Sequence, residues 1–186
     1  MKKGIIFVLL VVMLSGCRQN SGQMKQALEI RQKLLNCKGC QFQTVITADY
    51  GDKIYEFSLD CTVDEEGTLT FLVKEPETIA GITGTVSQKG GALTFDGKAL
   101  AFETIADGYV TPVAAPWLLI KTLRSGYITA TGNDGDNRRV TVDDSYAEND
   151  LTLDIWINSQ NVPLRGEILW QGKRILTLDV RSFVYL

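Results

Sequence analysis

The sequence predicts a chain of the α+β class, mainly β, built as one antiparallel sheet that wraps into an unclosed half-barrel. Two observations carry this. From residue 41 onward, short strand-like segments recur at regular intervals, separated by turn-forming clusters at 49–52, 96–97, 132–137 and 171–172. One amphipathic helix precedes them and one dense apolar run at 113–123 interrupts them. The 186 residues suit a single folded domain once a leader is set aside, and 45% hydrophobic content is enough for a real core.

Residues 1–17 read MKKGIIFVLLVVMLSGC. Lys2 and Lys3 form a positive start, and residues 4–14 an apolar stretch far short of the ~20 residues a spanning helix needs. Leu14-Ser15-Gly16-Cys17 resembles the lipobox of bacterial lipoproteins. That resemblance implies a signal peptide over 1–16 and lipidation of Cys17. It also implies attachment to the extracytoplasmic face of the cell membrane by two acyl chains, which hold where one binds only reversibly. Residues 17–23 are expected to be a lipidated, flexible tether, since RQNSGQ is small or polar, and 24–186 the folded domain.

Residues 24–36 (MKQALEIRQKLLN) repeat apolar side chains at helical spacing. Met24, Ala27, Leu28, Leu34 and Leu35 form the expected buried face, with Lys25, Glu29, Gln32 and Lys33 opposite. Arg31 falls inside the apolar stripe and is expected to snorkel to solvent, a buried carboxylate partner being the alternative. Strands are expected at 41–48, 53–60, 68–73, 81–87, 92–95 and 98–103. The run 113–123, flanked and entered by Pro112 and Pro116, is expected to be a short buried or lid-like helix. Strands resume at 127–131, 138–142, 151–158, 164–170 and 174–184. Gly132–Asn137 is rich in Asp and Asn, but it lacks the glutamate that closes a calcium loop and is expected to be a hairpin turn.

Three cysteines remain after Cys17: Cys37, Cys40 and Cys61. Cys37 and Cys40 form a CxxC that follows a helix and precedes a strand, the reverse of a redox motif, and no histidine or fifth cysteine completes a zinc site. Pairing Ala48 with Lys53 sets Ile46 opposite Tyr55, Thr44 opposite Phe57, Phe42 opposite Leu59 and Cys40 opposite Cys61. A Cys40–Cys61 disulfide is therefore expected, worth roughly 3 kcal/mol outside the cytoplasm. Cys37–Cys61 is the second choice of bridge, and three reduced structural thiols are the alternative to any bridge.

The net charge of −3 without a basic run argues against nucleic acid, and the absence of histidine removes the commonest general base and metal ligand. Acidic pairs such as Asp143-Asp144 and the run 64–66 fall in expected turns, where solvated charge explains them. No enzymatic activity, metal or cofactor is expected.

The order of one helix, several strands, a central helix and more strands resembles the LolA/LolB-like lipoprotein-localisation family. Two patterns carry the likeness. Lys74-Glu75-Pro76-Glu77 to Gly81, then Phe95-Asp96-Gly97, is similar to the family's stretch in which a strand ends at a proline and pairing resumes. Leu153-Asp154-Ile155-Trp156-Ile157 to Pro163, then Arg165 and Glu167, is similar to its paired strands after the midpoint. The resemblance extends to related clostridial lipoproteins such as GerS, where the fold serves as a protein partner. It implies helices on the concave side of the half-barrel. Inward positions on that side are Phe42, Ile46, Tyr55, Phe57, Leu69, Phe71, Trp117, Leu118 and Leu119, lining either a ligand cavity or a packed core.

Two functions follow as expectations. The first is non-catalytic binding of an envelope protein, with a filled core and an open edge strand, for which the apolar C-terminal strand is a candidate. The alternative is binding or transfer of lipid or lipoprotein acyl chains in a dry cavity under a mobile lid. The spare cysteine and an open edge leave room for a homodimer.

Overall fold

Alternating strands with short turns can bury their apolar side only by pairing into one sheet, and the computed structural model of the chain, which describes residues 18–95, 98–99, 106, 110–146 and 150–186, shows that sheet. Helix α1 (Arg18–Asn36) leads into β1 (Gly39–Asp49), β2 (Ile54–Asp64), β3 (Leu69–Glu75), β4 (Thr83–Ser87), β5 (Gly90–Phe95) and β6 (Lys98–Ala99). A 3-10 turn at Pro112–Ala114 runs into α2 (Ala115–Ser125). Then come β7 (Tyr127–Asp134), β8 (Asn137–Asp143), β9 (Leu151–Ile157), β10 (Pro163–Trp170) and β11 (Lys173–Tyr185). The signal peptide, Cys17, the turn at 96–97 and residues 100–103 of the expected sixth strand lie outside the described residues.

The strands form one antiparallel, unclosed half-barrel in the order β6-β5-β4-β3-β2-β1-β11-β10-β9-β8-β7. The C-terminal strand is therefore not an edge. β11 sits between β1 and β10, its backbone paired on both sides. The edges are β7 and, among the described residues, the two-residue β6. Turn chemistry sets much of this register. Gln171 and Gly172 both take positive φ, the two-residue turn whose twist suits a hairpin, and Gly135-Asp136 closes β7 onto β8 where the hairpin was expected. Beyond β3 the chain turns at Pro76, Gly81 N–H returns to the Val73 carbonyl, and pairing resumes at Thr83, as the proline-terminated strand suggested.

The first hairpin is in register two residues away from the expected one. Ala48 faces Tyr55, Ile46 faces Phe57, Thr44 faces Leu59, Phe42 faces Cys61 and Cys40 faces Val63. A shift of two keeps every side chain on its own face, so hydrophobic pattern alone cannot choose between these registers. The turn chooses. Asp49 accepts a hydrogen bond from Gly51 N–H at 2.7 Å, Gly51 supplies a positive φ, and Tyr50 N–H reaches the Lys53 carbonyl.

Both helices lie on the apolar side of the sheet. α1 takes in residues 18–23, which were expected to be a flexible tether. Its buried face is Ala27, Ile30 and Leu34, while Leu28 and Leu35 are 46% and 52% exposed. The stripe is rotated because Arg31 points between the helices, neither snorkelling nor meeting a carboxylate. Its Nε donates to the Leu123 carbonyl at 2.9 Å and its Nη2 to the Gly126 carbonyl at 2.6 Å. A cation there satisfies orphan carbonyls at the C-terminal end of α2 and complements the helix dipole. Burial lowers the Arg31 pKa from its ordinary value.

Helix α2 starts where expected, with proline in its first turn, and buries Leu118, Leu119, Ile120 and Leu123. It exits through Gly126, where a Cβ would lie 2.5 Å from Val142 Cγ1 and 2.9 Å from the Asp143 carbonyl oxygen. Only glycine lets the chain turn from helix into β7 this close to β8.

Candidate functional site

The nine positions expected to face the concave side divide into seven core residues and two that are partly exposed. Ile46, Leu69 and Leu119 are fully buried, Phe42 and Phe71 nearly so, and Phe57 and Leu118 are buried below 9% exposure. They pack in one continuous cluster with Leu59, Val73, Leu153, Ile155 and Leu178 from both arms of the sheet. Tyr55 is 41% exposed near the end of the hairpin, because the shifted register moves it from Ile46 to a place opposite Ala48. Trp117 is half-buried at the rim of α2, its Nε1 donating to the Gly67 carbonyl at 3.1 Å.

The cysteines are brought near one another without a bridge. Cys40 and Cys61 are buried, Cys37 is half-buried, and all three are free thiols. The expected Cys40–Cys61 bond rested on direct opposition, which the observed register replaces by a diagonal relation. Diagonal strand neighbours lie about 7–8 Å apart, beyond the Cα separation a disulfide usually spans. Burial, with a smaller contribution from Cys37, pushes the Cys40 thiol up to about 12, and burial likewise raises Cys61. Both are held as protonated, unreactive thiols. Among the described residues no group of three or more His, Cys, Asp or Glu side chains could hold a metal ion.

A groove of about 420 Å³ opens at the rim, between Leu35 of α1, Trp117, Ile120 and Arg124 of α2, and the turns carrying Gly67 and Gln88. Two of its three cations are tied down. Lys121 Nζ lies 2.7 Å from Asp144 Oδ1 and over the Trp117 ring, while Arg124 Nη2 donates to the Glu65 carbonyl at 2.6 Å.

The convex side carries a second feature. Strict alternation in β9 sends Leu153, Ile155 and Ile157 inward and Trp156 outward, with Asp154 on the same outer face. Trp156 has Arg139 of β8 and Arg165 of β10 as its register partners on either side, each guanidinium carbon 5.4 Å from the indole ring centre. One rung along, Asp154 receives Arg139 Nη2 at 2.5 Å and the Thr141 hydroxyl at 2.7 Å. Glu167 receives Arg165 at 2.6 Å and Arg174 at 3.0 Å. Trp156 Nε1 donates to Asp134 at 2.7 Å. The hydrogen bond that Arg139 donates to Asp154 is the largest cause holding the Arg139 pKa above its ordinary value. A shallow cleft of about 390 Å³ lies over this row, with Asn137 and Leu164 completing its walls. In the sequence, Asp154, Trp156, Arg165 and Glu167 stood out only as part of a family pattern. The available signal was the alternation itself, which puts an acid and a tryptophan on the polar side of a strand.

No family model matches this chain, and no curated protein matches it. Solved structures do. A LolA superfamily protein from Nitrosomonas europaea is 11% identical with a TM-score of 0.45, over 84% of this chain and 92% of that one. An uncharacterised conserved protein from Thermus thermophilus is also 11% identical, TM-score 0.49, over 88% and 87%. The lipoprotein LppX of Mycobacterium tuberculosis is 13% identical, TM-score 0.41, over 87% and 93%. The likeness is distant. It assigns neither partner nor cargo.

Proposed function

We propose that this chain is a non-catalytic binding module for a protein of the cell envelope, held at the extracytoplasmic face of the membrane by a lipid on Cys17. The observation that carries the reading is the filled concave face. The side chains that would have lined an acyl-chain cavity instead pack against one another and against both helices. Opening that core for a ligand would give up contacts worth about 1.5–3 kcal/mol for each large side chain exposed. Binding chemistry is then left to the outer surfaces and the rim. Among the described residues no helix is long and apolar enough to cross a membrane. The lipobox-like run ending at Cys17 is what supports attachment there. Since residues 18–23 belong to α1, a lipid on Cys17 would hold the domain through a helix rather than a loose linker.

Native mass spectrometry of the full chain in detergent, followed by solvent extraction of non-covalent lipid, tests the reading. The expected result is a folded protein with no stoichiometric extractable lipid. One lipid per chain, lost in Leu118→Glu with the fold retained, would transfer the function to acyl-chain binding. Labelling with radioactive palmitate, abolished in Cys17→Ala, is the expected outcome for the anchor.

A further inference from the structure

We propose that the convex face of β8–β11 is the docking surface, and that it takes an acidic, extended segment of the protein partner. The inference rests on the partner-binding reading and adds a place and a chemistry to it.

One end of each ion pair in this row faces water. The Arg139, Arg165 and Arg174 side chains are 49%, 44% and 56% exposed, whereas their partners Asp154 and Glu167 are 6% and 15% exposed. Within these three pairs the carboxylates lie beneath and the guanidiniums on top, so their outermost groups are cationic; the exposed acids nearby are Asp134, which holds Trp156, and Asp179, opposite Arg165 on β11. Each guanidinium has five N–H donors in a fixed plane, and each of these three gives its carboxylate through a single nitrogen. The rest face solvent in a geometry suited to a second carboxylate.

The centre of the row is equally fixed. Trp156 is anchored through Nε1 to Asp134 and flanked by two cations, so it stays in place when a ligand arrives. Leu164, 36% exposed, adds an apolar wall. Tryptophan and arginine held rigid around a shallow cleft are the residues that carry most of the energy of protein interfaces. A membrane surface fits less well, because recognition of anionic lipid takes clusters of about four to eight cations and this row has three.

Spacing narrows the occupant. Arg139 and Arg165 are two strand separations apart, about 10 Å. A polyproline II segment has three residues per turn and rises about 3.1 Å per residue, which places every third side chain on one side about 9 Å apart. Acidic residues at every third position, with an apolar residue between them for Trp156 and Leu164, match the row.

The probe is a synthetic nonapeptide, (Glu-Pro-Leu)3, with (Lys-Pro-Leu)3 as control, titrated into the full chain in non-ionic detergent. The readout is the indole N–H resonance of Trp156, assigned by its loss in Trp156→Phe. The acidic peptide is expected to shift that resonance saturably and leave Trp117 and Trp170 unmoved. The basic peptide, and the acidic peptide with Arg139→Gln or Arg165→Gln, are expected to bind at least ten-fold more weakly. If Arg139→Gln fails to fold because Asp154 loses its partner, Arg165→Gln decides alone, since Glu167 keeps Arg174. No shift, equal shifts from both peptides, or an unchanged affinity in folded Arg165→Gln would overturn the proposal. So would a Trp156 shift produced by phosphatidylserine vesicles and not by the peptide. None of these results bears on extractable lipid, so the docking surface can fail while the partner-binding reading stands.

Discussion

On the convex face of β2 and β3, Lys74 and Asp60 approach to 3.7 Å with side chains 54% and 41% exposed; on the same face of β8 and β9, Arg139 and Asp154 meet at 2.5 Å with Asp154 at 6%. The two pairs share a sheet, a face and a charge pattern. They differ in what surrounds the acid. Asp60 has Gln43 and water for company, and either partner can leave without stranding the other. Asp154 is enclosed between β8 and β10, and its charge is met only by Arg139 and Thr141 among the described residues. A solvated pair of the first kind contributes about 0–1 kcal/mol. A buried acid of the second kind persists only when its partners are in place, so it fixes their positions. One end of the sheet thus carries a solvated pair free to part, while the other holds its arginines and tryptophan in a set arrangement.

The largest expected effect follows from that contrast. Asp154→Ala removes the support under Arg139 and leaves the Thr141 hydroxyl unpaired. The loss should be about 2 kcal/mol, below the range for fully buried pairs because Arg139 can turn to water. Asp60→Ala should stay within about 0.5 kcal/mol. Urea unfolding midpoints of the two variants measure this. Equal losses would show that both ends of the convex face are ordinary surface.

The concave side differs between the same two ends, and pH reaches only one of them. Under β1 and β2 lie the buried thiols Cys40 and Cys61, while under β8 and β9 the matching layer is Val142, Leu153 and Ile155. The Cys40 pKa rises from 9.0 unfolded to about 12 folded, chiefly through burial. A raised acid pKa means that the folded state prefers the protonated form. Its stabilisation is complete below pH 9 and is lost as pH climbs from about 9 toward 12, because the unfolded chain ionises first. From pH 8 to pH 10 under reducing conditions, Cys40 alone should cost about 1.4 kcal/mol of stability. Cys40→Ala should remove that share of the slope and leave the share due to Cys61, which burial also raises. A wild-type profile flat to pH 10 would mean that the thiols are already solvated or oxidised.

These contrasts also mark how far the sequence could be read. Strand positions, both helices and the single antiparallel sheet were legible because alternation and turn residues act locally. Cys40, Phe42, Ile46 and Ala48 fall on the expected face for the same reason, since a period of two survives a slip of two. The register itself was not legible. It depends on the Asp49–Gly51 hydrogen bond and decides whether Cys40 meets Cys61 or Val63. Nor was the role of Arg31, whose partners are carbonyls more than ninety residues away. The central place of β11 and the row around Trp156 likewise depend on which strands pair, and no local pattern encodes that. Asp154 and Trp156 were visible as polar-face residues, but that Arg139 and Arg165 would stand on either side of Trp156 was not.

The smallest effect separates a shared acid from a private one. Glu167 accepts from Arg165 and Arg174 together, so removing either arginine leaves its charge covered. Arg174→Ala alone should cost no more than about 0.5 kcal/mol, and Arg165→Ala little more apart from its contact with Trp156. Removing both strands a carboxylate that is only 15% exposed, so the double variant should lose more than the two single losses added together, by about 0.5–1 kcal/mol. The same cycle on Lys74 with Arg165, far apart on the sheet, should be additive. Coupling at Glu167 with none at Lys74 would mean that the guanidiniums of β10 and β11 move as one braced group, which a surface meant to hold two carboxylates at fixed spacing requires. Additivity at both would leave them independent side chains, and the row around Trp156 would have to recruit its geometry from the ligand.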